Sequence, residues 1–294
     1  MTTRTLTAPR PGPVALSVDL PAGDIRVITD PSRTLAEVTV TAHGDNPAVH
    51  DAVRDAVLRW YEPTGNLTVR VNPPAGVTVV DGTQTVIGAR GAPVVQSSGD
   101  VPGGVTVIGG NVVQVGGRVT VNGVEVTGAT AAAGGRVEIT ARVPDGTSVT
   151  AATRSASLEC AGEFAEVDFT STSGDLTAGG VGALRAKTTS GAVSAAVVDG
   201  AAAAASVSGD LYFGRADDVT ASTTSGDVTV NDFAGRAEVA TVSGDVRVRA
   251  AEGGTITARS VSGDVTVTAT GTALAEGLTV DATSRVGRVI TPTT

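Results

Sequence analysis

The sequence predicts an all-β, single-domain β-solenoid whose coils of 17–19 residues each hold two short strands. The first observation behind this is a returning phrase: Ser173-Gly174-Asp175, Ser208-Gly209-Asp210, Ser225-Gly226-Asp227, Ser243-Gly244-Asp245 and Ser262-Gly263-Asp264, with Ser190-Gly191-Ala192 as a lapsed copy. Steps between its glycines are 17, 18, 17, 18 and 19 residues, and a fixed period of this size marks a stack of similar coils. The second is apolar columns at set offsets from that glycine. Seven residues before it stand Val167, Leu184, Ala202, Val219, Ala237 and Ile256; two after it stand Leu176, Val193, Leu211, Val228, Val246 and Val265. The columns five before and four after it are equally apolar, and alternation on both sides of a turn gives two half-buried strands. The third is composition: 2% aromatic residues and 38 glycines suit a thin interior.

Along the chain, residues 1–13 contain no apolar signal core and are expected to form a loose arm. Residues 14–72 hold strands near 14–20, 24–29 and 36–42, then a helix over 46–61, then a strand at Leu67–Val71. Leu16, Val18, Leu20, Gly23, Asp24, Ile25 and Val27 already fit the coil pattern. Asn46 is a good N-cap and Pro47 a favoured first helical residue. Val49, Ala52, Val53, Ala56, Val57 and Trp60 make an apolar stripe at helical spacing, so the helix is expected to cap the stack. Residues 73–133 are a Gly- and Val-rich insertion. Within it Arg118–Thr127 is a hairpin, since Asn122-Gly123 suits a two-residue turn; Ser98-Gly99-Asp100 repeats the phrase in a context that cannot continue a strand.

The repeats occupy 134–290, starting from the strand Arg136–Val143, and 291–294 form a tail. A coil with Ala156 in the glycine position places Val149, Ala151, Thr153, Leu158 and Cys160 inward. Cys160 therefore belongs to the core and lacks the partners of a nucleophile. Three residues before each glycine stand Ser171, Thr188, Ser206, Thr223, Thr241 and Ser260. Their parity is inward, where small hydroxyls can bond the turn backbone or one another. The last coil, Leu278–Val289, is expected to keep its first strand and to slip register at Ser284-Arg285-Val286-Gly287.

Pro21-Ala22-Gly23-Asp24-Ile25-Arg26-Val27, the lead-in Arg136–Gly146 and the Ser-Gly-Asp-Val coils together resemble the bacterial putative-adhesin family. The resemblance covers 14–72 and 134–290. It implies a β-strand-repeat protein of unknown function, of a kind common in actinomycetes, and it carries no catalytic residues.

A net charge of −9 disfavours nucleic acid and anionic membranes as partners. No run of about 18 apolar residues spans a membrane. With no recognisable signal the expected location is cytoplasmic, leaving open surface exposure by a non-standard route. The sequence supplies no cofactor site. His43 and His50 stand seven apart without metal-ligand companions. No phosphate-binding glycine loop precedes a helix. Two readings of Asp175, Asp210, Asp227, Asp245 and Asp264 stand side by side. Either each Asp accepts backbone hydrogen bonds in a turn where Gly174, Gly191, Gly209, Gly226, Gly244 and Gly263 supply φ > 0, or the row is a weak calcium site. The first is preferred, because Ala192 interrupts the row.

The expected function is a non-enzymatic scaffold or adhesin-like protein presenting a repetitive surface to a protein partner or to itself. A small-molecule ligand is not expected. The alternative is a calcium- or carbohydrate-binding module, and after it a carbohydrate-active enzyme. Acidic and aromatic side chains clustered in one groove would favour these; smooth flanks with capped ends would favour the scaffold.

Overall fold

The computed structural model describes residues 2–72 and 135–293, and between them the backbone of six short strands. The first strands are β1 (Thr2–Thr7), β2 (Ala15–Leu20), β3 (Asp24–Thr29) and β4 (Glu37–His43), followed by helix α1 (Pro47–Arg54), β5 (Val57–Tyr61) and β6 (Asn66–Arg70). The six short strands are β7 (Val77–Val80), β8 (Thr83–Ile87), β9 (Val105–Ile108), β10 (Val112–Val115), β11 (Arg118–Val121) and β12 (Val124–Val126), which form two three-stranded sheets. Val121 pairs with Val124 across the expected hairpin; its turn residues, like Ser98–Asp100, lie outside the described residues.

From β13 (Arg136–Val143) and β14 (Ser148–Thr153) the chain enters the repeats: β15 (Ser157–Thr170), β16 (Leu176–Lys187), β17 (Val193–Ala205), β18 (Leu211–Ser222), β19 (Val228–Ala240) and β20 (Val246–Ser260). It closes with β21 (Val265–Ala269), helix α2 (Gly271–Ala275), β22 (Thr279–Ser284) and β23 (Val289–Ile290).

The stack has two faces. One runs β1, β4, β13, β3, the leading segments of β15 to β20, then β21 and β23. The other runs β5, β6, β2, β14, the trailing segments of β15 to β20, then β22. Pairing is parallel except for β1–β4, β4–β13 and β5–β6. Thus β2 and β3 form a true coil within the stack.

Two short strands per coil were expected. Instead one strand of 12–15 residues bends through the second corner, where the register shifts. A sixth inward column lines this bend: Phe164, Val181, Val198, Ala216, Phe233 and Ala250, paired one above another and all buried. It stands seven residues after the phrase glycine in four successive coils, an odd step that breaks the alternation of the inward columns two and four after it, which hid it from a period-2 reading. The thin core accepts large rings beside small neighbours. Phe169 stacks between Ala151 and Ala186, and Phe233 between Ala216 and Ala250.

The arm expected over 1–13 is not loose among its described residues, 2–13. Thr2–Thr7 pairs along the edge of β4 and Ala8 is buried, because the β4 edge needs a partner and alternating Thr residues suit an extended edge strand. The helix is shorter than 46–61. Asn46 caps it, its side chain accepting from Ala48 N at 3.0 Å, but it stops at Arg54. Val57–Tyr61 turns back as a strand on β6, where β-branched and aromatic residues find cross-strand partners. Val49, Ala52 and Val53 still point into the core.

The last coil does not slip. Gly287 stacks over Gly263, Ser284 Oγ donates to Gly263 O at 2.7 Å, and Val289 pairs with Val265. Its step is longer because α2 is inserted at the corner, far from the turn.

Candidate functional site

The Ser-Gly-Asp edge is a surface of three hydrogen-bonded rows. In the inner row the hydroxyl three residues before each glycine accepts that glycine's N–H: Ser171 from Gly174 at 2.8 Å, Thr188 from Gly191 at 2.9 Å, Ser206 from Gly209 at 2.8 Å, Thr223 from Gly226 at 3.1 Å, Thr241 from Gly244 at 3.1 Å and Ser260 from Gly263 at 2.8 Å. Higher in the stack the same hydroxyls also donate downward, Thr241 to Gly226 O and Ser260 to Gly244 O, both at 3.1 Å. All six are buried, as their parity implied.

The glycines form the second row. None of the six has a positive φ, so the expected left-handed turn is corrected. They are glycine because a Cβ on each would fall on the backbone carbonyl oxygen of the residue one coil below. The constraint is close approach, not backbone handedness.

In the third row each Asp reaches one coil up. Asp175 Oδ1 accepts from Ala192 N, Asp210 from Asp227 N and Asp227 from Asp245 N at 2.8 Å, Asp245 from Asp264 N at 2.9 Å, and Asp264 from Arg288 N at 2.8 Å. Arg247 bridges Asp227 at 3.3 Å and Asp245 at 2.7 Å, and Arg288 pairs with Asp264 at 3.3 Å. The Arg288 N–H, with the guanidinium beside it, holds the Asp264 carboxyl below its ordinary range. Among the described residues no three His, Cys, Asp or Glu side chains gather as a metal-holding group.

Other candidates separate. Cys160 is buried and its thiol is pushed up to about 12, by loss of solvent first and by Glu159 second. His43 Nε2 lies 2.6 Å from Glu138 Oε2. His50 sits between Thr2 Oγ1 and Gly44 O, each at 2.8 Å. The two rings hold different neighbours.

The second corner carries a feature that the sequence did not single out. Between β18, β19 and β20 an open cleft of about 650 Å³ is lined by Arg215, Asp217, Asp232 and Glu252, with Gly235 and Gly253 in its wall. Gly235 has φ +114°, and a Cβ on it would lie 2.6 Å from Asp217 O, so the bulge that opens the cleft needs glycine there. Arg249 pairs with Asp232. On the adjoining face Tyr212 is 41% exposed, and its hydroxyl accepts from Asn231 Nδ2 at 2.7 Å.

Residues 105–289 match the family described as Toastrack DUF4097. The chain belongs to this family. No curated protein matches the Toastrack DUF4097 chain. Solved structures similar to it include a "putative lipid binding protein" from Parabacteroides distasonis ATCC 8503, 11% identical over 99% of this chain and 97% of that one, with a TM-score of 0.42. A "putative adhesin" from Parabacteroides merdae ATCC 43184 is 8% identical over 99% and 97% of the two chains, TM-score 0.35. A "putative cell adhesion protein" from Clostridium sporogenes ATCC 15579 is 11% identical over 99% of each, TM-score 0.27. No helix among the described residues of the Toastrack DUF4097 chain is long and apolar enough to cross a membrane.

Proposed function

We propose that this protein is a non-enzymatic scaffold, an adhesin-like solenoid that presents a rigid, repetitive surface to a protein partner or to another copy of itself. The observation that carries this reading is the Ser-Gly-Asp edge. Its hydroxyls and carboxylates are committed to backbone groups coil after coil, which leaves few side chains free for chemistry but fixes the surface rigidly. Side chains flanking the glycine, such as Val207, Val242 and Val261, are carried outward in register at 40–47% exposure. A periodic array of this kind suits a repetitive or multivalent partner, for which many weak contacts add.

The test is location. Native cells are fractionated, and intact cells are treated with protease before this protein is probed. Digestion on intact cells supports adhesion. Full protection, with the protein in the soluble fraction, sinks adhesion and directs the search to an intracellular partner.

A further inference from the structure

We propose that the corner cleft and the Tyr212 platform beside it form a binding strip for a neutral oligosaccharide. This goes beyond the scaffold reading and does not depend on it.

The neighbours of Tyr212 in register are Ser194 one coil below and Thr229 one coil above. Its hydroxyl, however, reaches Asn231, which sits one coil up and two residues further along. A ring tied to that diagonal position leans along the sheet, and at 41% exposure much of it meets solvent. The floor beside it is small: Gly214 follows on the same strand and Ser194 and Ala196 occupy the coil below. An exposed aromatic ring beside a small-residue floor, with its polar end held, can accept the apolar face of a sugar ring.

Three residues beyond Tyr212 the same strand delivers Arg215 to the cleft. Among the described residues Arg215, Asp217 and Glu252 make no ion pair, whereas Asp232 is engaged by Arg249. The cleft therefore offers a guanidinium donor and two carboxylate acceptors that are not committed elsewhere. An anionic ligand would meet Asp217 and Glu252. A metal ion would meet Arg215 and lacks a set of three ligating side chains. A peptide adding as a strand needs an open sheet edge, and the strands here are paired on both sides. Hydroxyl groups donate to carboxylates and accept from guanidinium, so a polyhydroxylated chain uses all three groups at once.

The test uses two probes, chitohexaose and cellohexaose, with the full chain. Saturation-transfer NMR is expected to show transfer to the ring protons of at least one hexamer, and calorimetry to give a saturable isotherm. Tyr212→Ala is expected to weaken that binding about tenfold or more, as truncation of an aromatic anchor does. Tyr212→Trp should retain it. The pair Asp217→Asn with Glu252→Gln should weaken binding without changing the thermal midpoint, which checks that the fold is intact. No transfer to either hexamer overturns the proposal, as does binding that Tyr212→Ala leaves unchanged. Neither result bears on adhesion, which location decides.

Discussion

Thr241 holds two backbone groups at once, accepting from Gly244 N and donating to Gly226 O, each at 3.1 Å in a buried setting. Thr241→Val keeps the shape but strands both groups, and an unsatisfied buried group costs about 1–3 kcal/mol. The variant should melt several degrees lower while Thr241→Ser stays close to wild type; equal melting of the two would mean that the hydroxyl row carries no stability. This row was legible in the sequence because a hydroxyl recurs at an inward parity. The glycines were legible as positions, but their reason was not: a carbonyl one coil below is invisible without the stack. Asp264 adds a dependence on pH. Its folded-state pKa is depressed, chiefly by the Arg288 N–H, so its contribution is complete above the ordinary carboxylate value near 4. It is lost as pH falls through the lowered folded value. Asp264→Asn, which keeps an acceptor, should therefore melt below wild type at neutral pH and converge with it in acid. Parallel curves across the whole range would contradict that.

Alternation along a strand is a strong signal, and its consequences can be tested on neighbouring residues. Val228 is fully buried while Thr229 faces outward on the same strand. Val228→Asp places an unpaired charge in a dry core and is expected to abolish the native circular dichroism and the cooperative melt. Thr229→Asp should retain both. Helix 46–61 shows where such signals compete. Val57 and Trp60 continue the helical stripe, yet they also suit a strand, and β6 supplies an antiparallel partner that a local pattern cannot reveal. The corner column was hidden for a related reason, since the bend there turns inward a residue that strict alternation assigns to the outer face. The saccharide strip was less legible still. Tyr212 is an unremarked outward residue until Asn231, nineteen positions later, is brought beside it, and the cleft exists only where three successive corners bulge differently.

A solenoid in which each coil touches only its neighbours gains and loses coils as units, and here one coil is removable on paper without disturbing the rest. Deleting Ala192–Gly209 takes out 18 residues and joins Gly191 to Asp210. Columns paired through β17 then meet directly: Leu211 over Leu176, Val219 over Leu184 and Ala216 over Val181, where Val193, Ala202 and Val198 had stood between them. Phe213 exchanges Ala195 for Ala178 beneath it, the same residue type. The turn Thr188–Gly191 is untouched, and Asp210 N takes the place of Ala192 N as donor to Asp175 Oδ1. The deletion thus removes the one interruption in the aspartate row. The shortened chain should fold, melt cooperatively within a few degrees of wild type, and shorten the particle by about 4.8 Å, the spacing of adjacent strands, as read by small-angle scattering. Removing only Ala192–Gly200 deletes half a coil, exchanges the two faces and should prevent folding. If the whole-coil deletion is as disordered as the half-coil one, stability does not pass from neighbour to neighbour, and the stack is a single cooperative body that cannot be edited by units.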